Sequence, residues 1–278
     1  MSFTEDFKGV FQKSENGLIK LIVINAFLFV LANLLNQFIN FYSFFSLPSN
    51  IDIFISRFWS LLTYMFLHKD FSHILFNMLW LYLMGKIFVD FMGSKRLVTV
   101  YLLGGLFGGI LFLLLGNFIF KNELYGTLVG SSAGVMAVVV AIAVLAPDYI
   151  IHLMFIGPVK IKYMALISFV LTTVLDLSVN TGGKIAHIGG ALFGLLYAVL
   201  YKRGTDLSTI ITSFSKIFSS KNKMKVAYKR SVSNEDYNAS KIQLQHKIDE
   251  ILDKISNSGY ESLSKEEKEI LFKVSNQK

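Results

Sequence analysis

Six long apolar runs constrain this chain more than any other feature: residues near 18–38, 73–92, 97–116, 128–146, 163–180 and 186–202. A run of about twenty apolar residues is what a helix needs to cross the hydrocarbon of a bilayer. Inside hydrocarbon every peptide group must find its partner within the protein, and a helix does so unaided. The expected fold class is therefore an all-α membrane protein with a bundle of six transmembrane helices. The first five runs are long enough to span. The sixth is short by strict count, carries His187 and several glycines at its start, and is closed by Lys202 and Arg203. The composition agrees: 53% of the residues are hydrophobic and only 17% charged, too few to coat a soluble domain of this size.

Charge placement sets the expected orientation. With the N-terminus inside, the inner segments hold Lys8, Lys13, Lys86, Lys95, Arg96, Lys160, Lys162, Lys202 and Arg203. The outer loops hold Arg57, Lys69, Lys121 and Lys184. That bias of roughly two to one predicts both termini in the cytoplasm. The formal net charge of +8 then reads as topology and attraction to anionic lipid, not as a nucleic-acid surface. The first apolar run is too long for the core of a cleaved signal peptide.

The chain divides by composition into four segments. Residues 1–17 are an N-terminal cytoplasmic segment and 18–203 the membrane domain. Residues 204–234 are a juxtamembrane linker, and 235–278 a small helical hairpin in the cytoplasm. The outer loop over 39–67 is aromatic and is expected to lie partly in the outer interface. Pro147 to Tyr163 is an inner loop with a turn at Gly157-Pro158. In the linker, Leu207, Ile211, Phe214 and Phe218 recur at helical spacing beside Lys216, Lys221, Lys223, Lys225, Lys229 and Arg230. Residues 207–230 are thus expected to bind anionic lipid as an amphipathic, polybasic helix. Beyond it, Ile242 to Ile255 reads as a helix stopped by Gly259, and Ser264-Lys265-Glu266-Glu267 as a capping box opening a second one.

Polar groups within the apolar runs are functional candidates, because hydrocarbon makes them costly. His73 and Asn77 are four apart and share a helix face. Gly130-Ser131-Ser132-Ala133-Gly134 is a small-residue segment that lets another helix approach. Ala186-His187-Ile188-Gly189-Gly190, with Gly194 a turn later, places a histidine on a helix able to pack closely. In the orientation above, the second, fourth and sixth runs all enter from the outer side, so the three clusters fall at one depth. Amide hydrolysis needs a nucleophile, a base and donors for the oxyanion. A serine of the second cluster would attack, and His187 would take its proton and return it to the leaving amine. His73, Asn77 and a backbone N–H would hold the oxyanion. Spacing alone does not choose between Ser131 and Ser132. No carboxylate is placed to orient His187, so a dyad is the simplest arrangement. The chain has no cysteine, which excludes thiol catalysis and thiolate metal sites. Neither a cofactor nor a metal is called for.

At these residues the chain resembles the rhomboid intramembrane proteases in their basic six-helix form. The family's H-x-x-x-x-H-x-x-x-N segment is matched by His68 through His73 to Asn77, its G-x-S by Gly130-Ser131-Ser132, and its A-H-x-x-G by Ala186, His187 and Gly190. The resemblance covers residues 15–203. It implies Ser132 and His187 as the dyad, His73, Asn77 and the Ser132 N–H around the oxyanion, and transmembrane proteins cut near the outer face as substrates. Three departures stand out: Ala133 where relatives carry Gly, Met136 where an aromatic ring often stacks on the base, and Ser60 after Trp59 where an Arg is common. Two other classes compete, a non-catalytic rhomboid-like scaffold and a transporter relaying protons through His73, His187 and Asp176. The missing internal repeat argues against the second.

Overall fold

The computed structural model describes residues 17–116, 126–153, 157–174, 181–209 and 234–275. Asp176 and Asn180, the N-terminal segment with Lys8 and Lys13, and most of the polybasic linker lie outside them. Two compact units divide the chain, 1–220 and 221–278.

The first unit is helical. Helix α1 spans Gly17–Leu35. An outer segment follows with short helices α2 (Phe41–Phe45), α3 (Ile51–Ser56) and α4 (Ser60–Thr63). Next come α5 (Phe71–Met92), α6 (Ser94–Leu114), α7 (Ser132–Leu145), α8 (Ile161–Phe169) and α9 (Thr181–Lys202). A π turn, Val170–Val174, continues α8. Four of these helices, α1, α5, α6 and α9, are long and apolar enough to cross a membrane. The other two apolar helices are shorter, which corrects the expected span of the fourth run. Leu128 and Thr127 pair as strand β2 with Leu47 and Pro48 of β1, and Gly130 then takes a positive φ of 124°. The helix can start only after that break, at Ser132, and has 14 residues.

Small residues bring α6, α7 and α9 together. A Cβ on Gly108 of α6 would lie 2.7 Å from the Ala133 methyl and 2.8 Å from the Ala186 carbonyl oxygen. One on Gly190 of α9 would overlap the Ala133 carbonyl. Either substitution must push helices apart, at a cost of about 1–3 kcal/mol. The neighbours of Ser132 and His187 in sequence are thus wedged against one glycine-lined seam. The methyl of Ala133 is part of it.

The outer segment is tied down by side chains. The carbonyls ending α2, at Ser43, Phe44 and Phe45, accept from the Arg57 guanidinium, from Trp59 Nε1 (3.0 Å) and from Thr63 Oγ1 (2.7 Å). These are the carbonyls that a helix end leaves without partners. Arg57 therefore supplies a guanidinium to this loop although Ser60 occupies the position after Trp59. Phe38, Ile55 and Phe58 stay exposed, as an interfacial segment would have them.

One expectation fails in the loops. Gly157 and Pro158 form no turn; they belong to β4 (Gly157–Lys160), which pairs with β3 (Ile150–Leu153), Gly157 opposite Leu153. Here Lys162 and Lys160, each 3.0 Å from Asp148, hold its carboxyl below the usual range. Thr181, Gly182 and Gly183 form the first turn of α9, with Gly182 against the Phe112 ring.

The second unit contains α10 (Asn234–Ser258) and α11 (Lys265–Ser275). Gly259, at φ 78°, ends α10 as its sequence position indicated. The capping box closes both ways: Ser264 N–H donates to Glu267 Oε2 (2.6 Å) and Glu267 N–H to Ser264 Oγ (3.2 Å). Among its described residues, Ile251 and Leu263 are buried apolar ones.

Candidate active site

A cavity of about 490 Å³ opens among α5, α7, the π turn and α9. Its walls include Ser132, His187, His73 and Asn77, all four candidates, with Phe76, Trp80, Met136, Ser168, Leu171 and Thr172. Residues separated by more than a hundred positions in the chain therefore share one concave surface, lined mostly by apolar groups.

Ser132 is the first residue of α7. Its N–H is among those a helix leaves without an intrahelical acceptor, at the end where the peptide dipoles place positive charge. Ser131 occupies the N-cap position, yet its side chain makes no bond to the amides of α7. Gly130 is required twice over. Its φ is positive, and a Cβ there would lie 2.7 Å from His73 Cε1 and 2.8 Å from His73 Nε2. The His73 imidazole thus rests directly on the turn that presents Ser132. That turn is fixed from behind by Gly130 N–H bonding the Tyr64 carbonyl (3.0 Å) and by the β1–β2 pair.

Asn77 is buried, and its Nδ2 donates to the His73 carbonyl one turn earlier (3.0 Å). His73 and Asn77 share a face of α5, as their spacing required.

His187 sits in the first half of α9, with Nδ1 3.2 Å from the Thr172 carbonyl oxygen. A carbonyl can only accept, so Nδ1 carries a proton, which leaves the lone pair on Nε2 whenever the ring is neutral. A backbone carbonyl thus orients the ring. Residue types carry no signal for it, because the group belongs to the main chain and the π turn that presents it is not a sequence pattern. Met136 lines the cavity wall without a ring to stack on His187.

No cluster of three or more His, Asp or Glu side chains able to hold a metal occurs among the described residues. His152, on β3, is exposed and is not among the residues lining this cavity.

An assembly of apolar helices around a serine- and histidine-lined cavity defines a helical integral membrane protein. The Rhomboid domain family matches residues 56–204, more than half of the chain, and the chain belongs to the rhomboid family, whose members are usually intramembrane serine proteases. Residues 233–277 match a family of unknown function, DUF6576. No curated protein matches the chain.

Proposed function

We propose that this rhomboid-family chain is an intramembrane serine endopeptidase that cuts transmembrane segments of other membrane proteins near the outer face. Ser132 attacks the scissile carbonyl. His187 accepts its proton at Nε2 and then protonates the leaving amine. The Ser132 N–H, His73 and Asn77 receive the oxyanion. The observation carrying this reading is the shared cavity: nucleophile, base and oxyanion donors line one surface, with His187 held in the tautomer a base needs.

The 14 residues of α7 are a second support. A helix of that length is about 21 Å long, against hydrocarbon about 30 Å thick. If its far end reaches the inner interface, Ser132 begins several ångströms below the outer one, where a membrane-embedded peptide bond can reach it. The positive residues favour this orientation, with both termini in the cytoplasm of a bacterium and the basic linker against anionic lipid.

The deciding experiment is cleavage of a transmembrane reporter by pure protein in liposomes. Wild type cuts it and Ser132→Ala does not. A reporter left whole by wild type, with a fluorophosphonate probe unattached, refutes the reading in favour of a scaffold.

A further inference from the structure

His68 opens the histidine–asparagine motif but lines no part of the cavity. It is fully buried, at 0% exposure. Its carbonyl is held by the Tyr42 hydroxyl (2.7 Å) and by Asn33 Nδ2 (3.4 Å). Its Nε2 lies 3.1 Å from Ser131 Oγ and 3.4 Å from Ser131 N. Its ring meets that of His73 edge-on, centroids 5.0 Å apart. Behind Ser131 stands Tyr101, also fully buried, whose hydroxyl bonds the Met65 carbonyl (3.2 Å) and receives Asn25 Nδ2 (3.1 Å).

An N–H can only donate, so His68 Nε2 must be unprotonated to receive the Ser131 amide. The proton then sits on Nδ1, which faces the Phe66 carbonyl without a well-formed bond. A serine at an N-cap ordinarily turns its hydroxyl onto the first amides of its own helix. Ser131 is aimed at His68 instead, so its oxygen does not occupy the amides at the start of α7.

We infer that His68 and Ser131 are positioning residues for catalysis: His68 Nε2, bonded to both the hydroxyl and the N–H of Ser131, fixes the Gly130–Ser132 turn while the same ring braces His73. One imidazole thereby sets the two sides of the oxyanion site relative to each other. The inference rests on the protease reading of Ser132.

Two near-isosteric substitutions test it. His68→Gln carries an amide oxygen out to the Nε2 position, whereas His68→Asn reaches only the Nδ1 position. In full-length protein in liposomes, H68N lowers kcat roughly ten- to a hundredfold, the scale expected when a reacting group is misplaced by about an ångström. KM and melting temperature stay near those of H68Q, and H68Q recovers most of the rate. H68N cutting as fast as wild type, or both variants losing rate equally and in step with melting temperature, overturns the inference and leaves the protease reading standing. Failure of wild type to cut the reporter or take up fluorophosphonate overturns both. A readout independent of activity, and of whether H68N folds, is the nitrogen-15 spectrum of histidine-labelled wild type, with H68Q identifying the resonance. A neutral His68 protonated on Nδ1 is expected; protonation on Nε2 refutes the inference.

Discussion

His187 Nδ1 reaches the carbonyl oxygen of Thr172 at 3.2 Å, across from α9 to the π turn that ends the described part of α8. The imidazole is therefore held by a main-chain oxygen of the neighbouring π turn. Single-turn π segments are often found at functional sites, and here the bulge supplies a main-chain acceptor. Movement of this part of α8 would also release the imidazole.

The nucleophile assignment separates two adjacent serines. Ser132→Ala is expected to remove all cleavage and all fluorophosphonate labelling. Ser131→Ala keeps its N–H, and with it half of the contact to His68, so it should fold, label and retain activity within about an order of magnitude of wild type. Gel fluorescence of the labelled protein measures both. Equal loss in two folded variants would refute the assignment.

The two side chains assigned to the oxyanion differ in their freedom to donate. Asn77 Nδ2 already donates to the His73 carbonyl, whereas the His73 ring lies on the Gly130–Ser132 turn. His73→Ala should lower kcat about 10²–10³-fold, the usual loss for such a donor. Asn77→Ala should cost less. Steady-state kinetics on the reporter gives both numbers, and a larger loss at Asn77 would reverse the ranking.

Substrate entry is the third test. Phe76 and Trp80 of α5 face Leu171 and Thr172 of the π turn around the cavity. Leu171 is exposed on its outer side, whereas Val174 is absent from the cavity wall and Phe169 lines a separate groove with Val140 and Leu192. Although α8 has bulky outward residues, its buried positions include the small Ala165 and Ser168. Leu171, more than Phe169 or Val174, is thus the side chain to trim. Leu171→Ala should speed cleavage of a transmembrane substrate and leave fluorophosphonate labelling unchanged. Cysteines at 76 and 171, joined by a short crosslinker, should block cleavage until the link is cut. The chain has no native cysteine to interfere. Undiminished cleavage by the crosslinked protein would place entry elsewhere.

Truncation must respect an ion pair. Arg96 Nε lies 2.9 Å from Asp206 Oδ2, and the guanidinium sits 5.2 Å from the centre of the Tyr201 ring. Ending the chain after Gly204 removes this tie between α6 and the segment following α9. Ending it after residue 220, at the boundary between the two units, should leave melting temperature and reporter cleavage near wild type. A folded but inactive product would make the second unit part of the catalytic machinery.

What the sequence disclosed was chemistry written in side chains at regular spacing. His73 and Asn77 one turn apart, Ser132 after a glycine, and His187 on a glycine-lined helix were all visible, as were six apolar helices. The start of α7 was hidden, because Leu128 and Val129 continue its apolar run, and only the pairing of Leu128 with Leu47 shows that they are not helical. Contacts made by the main chain were hidden for a similar reason. The Thr172 carbonyl looks the same in any sequence. The partnership of His68 with Ser131 joins residues 63 apart, and no local pattern links them.

The short α7 also bears on the lipid around it. A helix of 14 residues set among helices long enough to cross leaves an end short of theirs, and thicker hydrocarbon covers that end more deeply. Liposome composition thus becomes a control variable: in long-chain lipid the membrane presses to cover the mouth of the site, while in short-chain lipid it recedes. Rates for this chain have meaning only alongside the thickness of the bilayer that held it.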